Sequence, residues 1–309
     1  MTRQVSAGGI RVLLALLAAM ALWASSFPIM KALLQAGFNP YAIIWGRMVF
    51  ASLVLLPLMI RAWPRARRQK GDIWWLLLLV ACEPGLYFLL EINALQYTSA
   101  SQAGMVAALF PLLGTLGGAL FFNERAGRNM LLGLFLSVGG VIGLTLAGDA
   151  DLSAPRPWLG NFLEAMAMVM AVGYMLIIKK LTPRYDIWLL TGIQMAGGAI
   201  IYLPGAAYLL GEQRELFLQP FNLGLFIYIG AGVTVLAYGF YNYGVARLSA
   251  ARAAVMVNLI PVFAVMISWL WLGERLNGLQ IAFAALTLGG VILTQKSDRA
   301  ATEAQEQAG

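Results

Sequence analysis

Long apolar runs separated by short polar connections recur from one end of the chain to the other. A helix needs roughly 20 mostly apolar residues to cross a bilayer. Ten stretches meet that requirement: 11–34, 40–60, 73–96, 101–122, 129–146, 158–181, 187–210, 221–248, 251–272 and 279–295. The expected fold class is therefore all-α integral membrane with ten transmembrane helices. The connections leave no room for a soluble catalytic domain. Arg3 and Arg11 precede the first run as they would in a signal peptide, but the run continues to Leu34. That is too long for a cleaved leader, so it is read as the first span. The tail, 296–309, is polar and expected to be disordered.

Composition agrees with a bilayer rather than water. Of 309 residues, 61% are hydrophobic and 11% charged, against about 45–50% and roughly 25% in soluble domains; the mean hydropathy is +0.77. The net charge of +7 is no nucleic-acid footprint, because Lys and Arg concentrate in cytoplasmic loops of membrane proteins. With both termini placed in the cytoplasm, sixteen of the 21 Lys and Arg fall in inside segments. Only Lys31, Arg156, Arg214 and Arg275 fall outside, and Arg47 lies within a span. An odd number of spans would scramble this split.

The chain repeats itself. At a shift of 150 residues, Ser99, Pro111, Glu124, Arg125, Gly139 and Gly140 meet Ser249, Pro261, Glu274, Arg275, Gly289 and Gly290. At a shift of 147, Met48 and Pro57 meet Met195 and Pro204. The expected units are residues 1–146 and 147–295. Five spans per unit is an odd number, so the second copy must enter the membrane upside down. Such inverted repeats are the plan of secondary transporters, with the substrate site near the midplane between the copies.

The string Trp23-Ala24-Ser25-Ser26-Phe27 with Lys31 resembles the WGSSF…K of the first helix in EamA-type proteins of the drug/metabolite transporter superfamily. Arg47, residues 94–100 and the Glu-Arg pairs after the fourth and ninth spans are similar too. The resemblance covers nearly the whole chain, and the aromatic amino acid exporters of the YddG type are its nearest likeness. It implies ten helices, a central cavity lined by spans 1, 3, 4, 6, 8 and 9, and export of amino acids or other metabolites. Ala24 stands where the family usually has glycine, and residues 171–174 depart from its common Trp-Ala pair.

Ionisable groups inside spans are the first site candidates, since each costs at least about 2.5–3.5 kcal/mol if it faces lipid. Glu83 lies midway along the third span, just before Pro84; Glu91 follows two turns later on the same face, with Tyr87 between them. A helix break at Pro84 would free a backbone carbonyl for an ammonium group, tolerable where it lines a cavity. A carboxylate at this depth suits the amino group of a zwitterion, or a proton if transport is coupled. The other reading of Glu83 is a neutral, hydrogen-bonded packing residue. Arg47 could hold a substrate carboxylate, but a structural ion pair with Glu91 is favoured, because buried charges survive when paired. Lys31 is read as snorkelling from its span end, and Glu164 as marking an edge of the sixth span.

Aromatic residues form a second set. Trp23, Phe27, Tyr87, Tyr174, Tyr238 and Tyr241 sit on helices assigned to the cavity by the resemblance, whereas Trp and Tyr ordinarily gather at membrane interfaces. Met105 and Met168 add an adaptable apolar wall. Ser26, Gln102 and Asn258 either bind substrate or join helices. Pro84, Pro111 and Pro261 are the expected hinges, and Gly139 with Gly143 has the spacing of close helix approach.

These features point to a secondary transporter that exports aromatic or otherwise hydrophobic amino acids across the inner membrane by alternating access, as a monomer. Its partners are the amino acid substrate, the lipid bilayer and, if transport is coupled, protons. No P-loop pattern is present to supply nucleotide drive. With no histidine and Cys82 as the single cysteine, zinc motifs, disulfides and histidine-based catalysis are disfavoured, and no metal or cofactor is implied. Two other readings stand beside this one: an exporter or flippase of other metabolites, drugs or lipid-linked substrates, and an intramembrane lipid-modifying enzyme built on Glu83 and Glu91.

Overall fold

A computed structural model describes residues 7–122, 128–148, 154–245 and 256–306. All regular structure among them is helical. The repeat landmarks Glu124, Arg125 and Ser249 lie outside the described residues.

Helix α1 runs Ala7–Gln35 and α2 runs Pro40–Ala62. The turn between them uses Gly37 at φ +93°, a left-handed conformation few side chains adopt. Asn39 then caps α2 by accepting from the Tyr41 N–H, and Pro40 occupies the first turn, where no N–H is needed. The third apolar segment comprises α3 (Asp72–Val80), a wide π-type turn over Ala81–Leu86, and α4 (Tyr87–Tyr97). Next come α5 (Ala100–Val106), α6 (Leu109–Phe122), α7 (Arg128–Leu146), α8 (Pro157–Leu181) and α9 (Ile187–Ile201). The short helices α10 (Pro204–Ala207) and α11 (Arg214–Leu218) lead to α12 (Pro220–Ile227). A second wide stretch, Tyr228–Leu236, joins α12 to α13 (Ala237–Val245), and α14 (Leu259–Leu272) and α15 (Gly278–Glu306) complete the chain.

Among the described residues, five apolar helical segments are long enough to cross a membrane: Ile10–Gln35, Pro40–Arg65, Asp72–Tyr97, Pro157–Leu181 and Pro220–Tyr241. Ile187–Ile201 and Pro204–Glu212 form a pair bent by 62°, with Pro204 at the bend. Shorter apolar helices occupy Ala100–Gly114, Leu131–Leu146, Leu259–Leu272 and Gly278–Leu293. Trp74, Phe135, Leu146 and Ile200 are each more than 70% exposed, which only a hydrocarbon surrounding makes favourable. The chain is a multi-pass membrane protein.

The fourth segment loosens at residues 107–108 rather than at Pro111 itself, because the proline ring crowds the carbonyl four residues earlier, on Ala107. Asn258 occupies the corresponding loosened turn before Pro261. In α15 the helix continues to Glu306, beyond residue 295 where the last span was expected to end. The segment that follows is rich in Ala, Glu and Gln, good helix formers, and extends the helix instead of fraying.

Two helix seams matter for the site. Along α7 and α15, a side chain at Gly140 would collide with Thr287 and one at Gly290 with Ser137, while the Ser137 hydroxyl donates to the Thr287 carbonyl at 3.0 Å. Gly140 and Gly143, not Gly139, make the close approach; nothing lies within 4 Å of a Cβ at Gly139. Along α4 and α8, Gly160 lies against Ala94 and Thr98, and Gly173 against Cys82, which makes that pair antiparallel.

Candidate functional site

The third segment departs from helical geometry at one residue. Glu83 has φ −145° and ψ +120°, an extended conformation inside an otherwise helical run. Pro84 explains it: the residue before proline is pushed out of the α region, and proline has no N–H to continue the ladder. The freed carbonyls are satisfied from the bent segment. Gln194 on α9 donates its amide to the Glu83 carbonyl at 2.9 Å. The Tyr202 hydroxyl donates to the Gly85 carbonyl and lies 3.4 Å from that of Pro84. These oxygens were expected to be open to an ammonium group; instead the protein's own donors occupy them, leaving the Glu83 side chain as the group available to a ligand.

Around that side chain the structure gathers aromatic rings from four segments. Trp23 of α1 meets Tyr238 edge-on at 5.3 Å between centroids, and Tyr241 at 5.1 Å, both from α13. The Tyr238 hydroxyl is 3.2 Å from that of Tyr174 on α8 and also faces the Glu83 carboxyl. Tyr87, one turn past Glu83, donates to Glu91 Oε1 at 2.7 Å. These five rings are half-buried whereas Glu83 is buried. An aromatic enclosure with a carboxyl on its wall suits a cation joined to an apolar body: the ring faces and the carboxylate attract the charge, and the ring area covers the rest.

Other expected members lie elsewhere. Phe27 is buried in the main core beside Gly104. Met105 packs with Leu144 and Ala284, against the fifth and last apolar helices. Met168 is buried on α8, and Asn258 leads into α14 at the turn before Pro261. Ser26 belongs to the arginine anchor. Arg47 donates to the Ser26 hydroxyl at 2.9 Å and the Thr234 hydroxyl at 3.1 Å, and its guanidinium stacks 4.4 Å from the Phe88 ring centre. The anticipated direct ion pair with Glu91 is not made; Arg47 acts on Glu83 and Glu91 across intervening space. Hydroxyls and a ring face satisfy the planar guanidinium as a carboxylate would.

Lys31 differs from its expected role as well. It is buried and donates to the carbonyls of Leu95 and Thr98, joining α1 to the end of α4. Beside it, Thr98 donates to Asn161, whose amide donates to Gln102 and Thr145. Gln102 is thus joined to other helices within a polar cluster apart from the aromatic enclosure. The residues missed from sequence are Gln194 and Tyr202, which hold the break; Glu164, read as marking an edge of its span, is fully buried. An amide in the middle of an apolar helix was a visible signal for Gln194; nothing local marked Tyr202. A separate groove of about 580 Å³ opens between α1 and α13, lined by apolar residues with Arg11 and Tyr243, and includes none of the site candidates.

A model of the EamA-like transporter family matches this chain twice, over residues 10–146 and 158–295. An uncharacterized transporter of Archaeoglobus fulgidus is 25% identical over 89% of this chain and 94% of its own length. A probable terminal-alkyne amino-acid exporter of Streptantibioticus cattleyicolor is 27% identical over 89% and 90%. A solved crystal structure aligns with a TM-score of 0.62, covering 93% of this chain and 97% of that one at 18% identity, a likeness of fold.

Proposed function

The chain belongs to the EamA-like transporter family, and from that premise we propose that it exports amphiphilic amino acids, aromatic or otherwise hydrophobic, across the inner membrane by alternating access. The observation that carries this reading is the Glu83 carboxyl held within the rings of Trp23, Tyr87, Tyr174, Tyr238 and Tyr241. An α-ammonium group goes to Glu83, and the apolar side chain lies against the rings, where burial contributes about 25 cal/mol per Å². The exporter from Streptantibioticus, named for an amino-acid cargo, supports the substrate class.

Ten spans in two inverted five-helix repeats supply the machinery. Two matches to one family model support the duplication, and the glycine seam supports a two-fold relation. At the shift of 150, Ser137 corresponds to Thr287 and Gly140 to Gly290, so the contacts Gly140–Thr287 and Gly290–Ser137 are the same contact made twice. That reciprocity is what a two-fold axis between copies produces. Helix partners follow the same rule: α1 packs on α13 and α14, and α8 on α4 and α6. The breaks at Pro84, Pro111 and Pro261 are the flexing points, and the positive residues place both termini in the cytoplasm.

Purified protein in liposomes, assayed by counterflow of labelled phenylalanine and tryptophan, tests the reading. The account expects saturable counterflow that Trp23→Ala weakens. Protein that is folded yet exchanges neither amino acid would refute it.

A further inference from the structure

The carboxyls of Glu91 and Glu164 are the least accommodated polar groups in the interior. Glu164 is 0% exposed and Glu91 2%. Neither oxygen of Glu164 has a hydrogen-bond partner among the described residues, nor has Glu91 Oε2. The antiparallel seam of α4 and α8 brings them together: Gly160 lies against Ala94 and Thr98, so Glu164, one turn further along α8, faces the turn of α4 that holds Glu91. At that range the two carboxyls feel one another's charge.

The surrounding charges do not neutralise a pair of carboxylates. From α4 itself, Tyr87 donates to the other oxygen of Glu91. From α2, Arg47 acts across intervening space on Glu91 and also on Glu83, a third acid, on the broken segment. From α1, Lys31 is directed to the Leu95 and Thr98 carbonyls, a turn further along α4. Helices α5 and α6, which pack on α8, carry no ionisable residue. Two adjacent buried carboxylates repel, and each unpaired charge is costly to desolvate. One proton removes both difficulties, because a carboxylic O–H on one residue donates to the orphaned oxygen of the other.

We propose that Glu91 and Glu164 share one exchangeable proton and form the ion-coupling site of the transport cycle, distinct from the substrate carboxyl Glu83 and linked to it along α4 through Tyr87. This rests on the transporter reading above. The proton binds from water on one side and leaves as an intact H⁺ to the other; only an O–H bond forms and breaks. A sodium ion is less suited, since the pair and Tyr87 supply few oxygens for the roughly six that a hard cation takes.

Two measurements test this, the first needing no substrate. Infrared difference spectra of the purified, detergent-solubilised protein are recorded through a pH titration with and without sodium, for wild type and for Glu164→Gln and Glu91→Gln that elute as folded protein. The expected result is a carboxylic-acid C=O band in wild type that titrates with pH, ignores sodium, and is lost or displaced in either variant. A wild-type spectrum without such a band, a band displaced by sodium at fixed pH, or a band unchanged in both variants would overturn the proposal. Should neither variant fold, the wild-type titration alone decides. In liposomes, a one-unit pH gradient then drives up to about tenfold tryptophan accumulation for one proton per substrate, falling to about onefold in Glu164→Gln. Accumulation that persists in a folded Glu164→Gln contradicts the coupling role. Absence of any tryptophan flux in wild type counts against the substrate reading and leaves the infrared result to judge the carboxyl pair.

Discussion

The third and eighth apolar segments both open their backbone at mid-length, yet they repair the opening differently. In the eighth, Thr234 donates its hydroxyl to the Ile229 carbonyl, five residues back, at 2.9 Å. That loosening is closed within its own segment, and the same hydroxyl also receives Arg47. In the third, the carbonyls freed at Glu83 and Gly85 are held by Gln194 and Tyr202 on another segment. A break repaired locally keeps its shape whatever its neighbours do. One held by a distant helix shifts when that helix moves, which suits a segment carrying the carboxyl proposed to bind substrate. The bent pair containing Gln194 and Tyr202 thus acts as a strut for the site although it supplies no ring to it.

The comparison can be broken by substitution. The largest effect belongs to Glu83→Gln, which leaves an ammonium group without its counter-charge; phenylalanine counterflow should fall about 100-fold, in line with the roughly 2–5 kcal/mol lost when one partner of a buried charge pair is truncated. Gln194→Leu comes next. It orphans the Glu83 carbonyl at about 1–3 kcal/mol, so flux should drop about tenfold, with a lower melting temperature in detergent. Tyr202→Phe removes one hydroxyl from Gly85 and should reduce flux about threefold. Thr234→Val should be smallest in transport, within about twofold of wild type, with a stability loss of about 1 kcal/mol from the unpaired Ile229 carbonyl and Arg47 N–H. If Thr234→Val impairs flux as much as Gln194→Leu, the distinction between local and borrowed support is wrong.

How much of this could be read beforehand follows from the range of the interactions. The apolar segments and the break at Pro84 depend on composition and on a proline's effect on its neighbours, both local and therefore legible. The gathering of Trp23, Tyr174 and Tyr238 was approachable because large rings inside apolar runs must be buried against something. Arg47 was matched with the wrong partner, since a guanidinium accepts hydroxyls and a ring face as readily as a carboxylate, and sequence does not tell which neighbour arrives. Glu164 was misplaced for a similar reason: its distance from a span end says nothing about the register of α8 against α4. Met105 packs against Leu144 and Ala284 instead, because α5 is buried on every side and so leaves little periodic trace of its rotation.

The central claim is that the break in the third segment presents an aromatic, acid-walled cavity to water and substrate rather than to lipid. Thiol labelling measures this directly, with Tyr87→Cys in a Cys82→Ala background reconstituted in liposomes. The account predicts modification by a water-soluble, charged maleimide, slowed by added tryptophan. Modification only by a lipid-soluble reagent, indifferent to tryptophan, would contradict it.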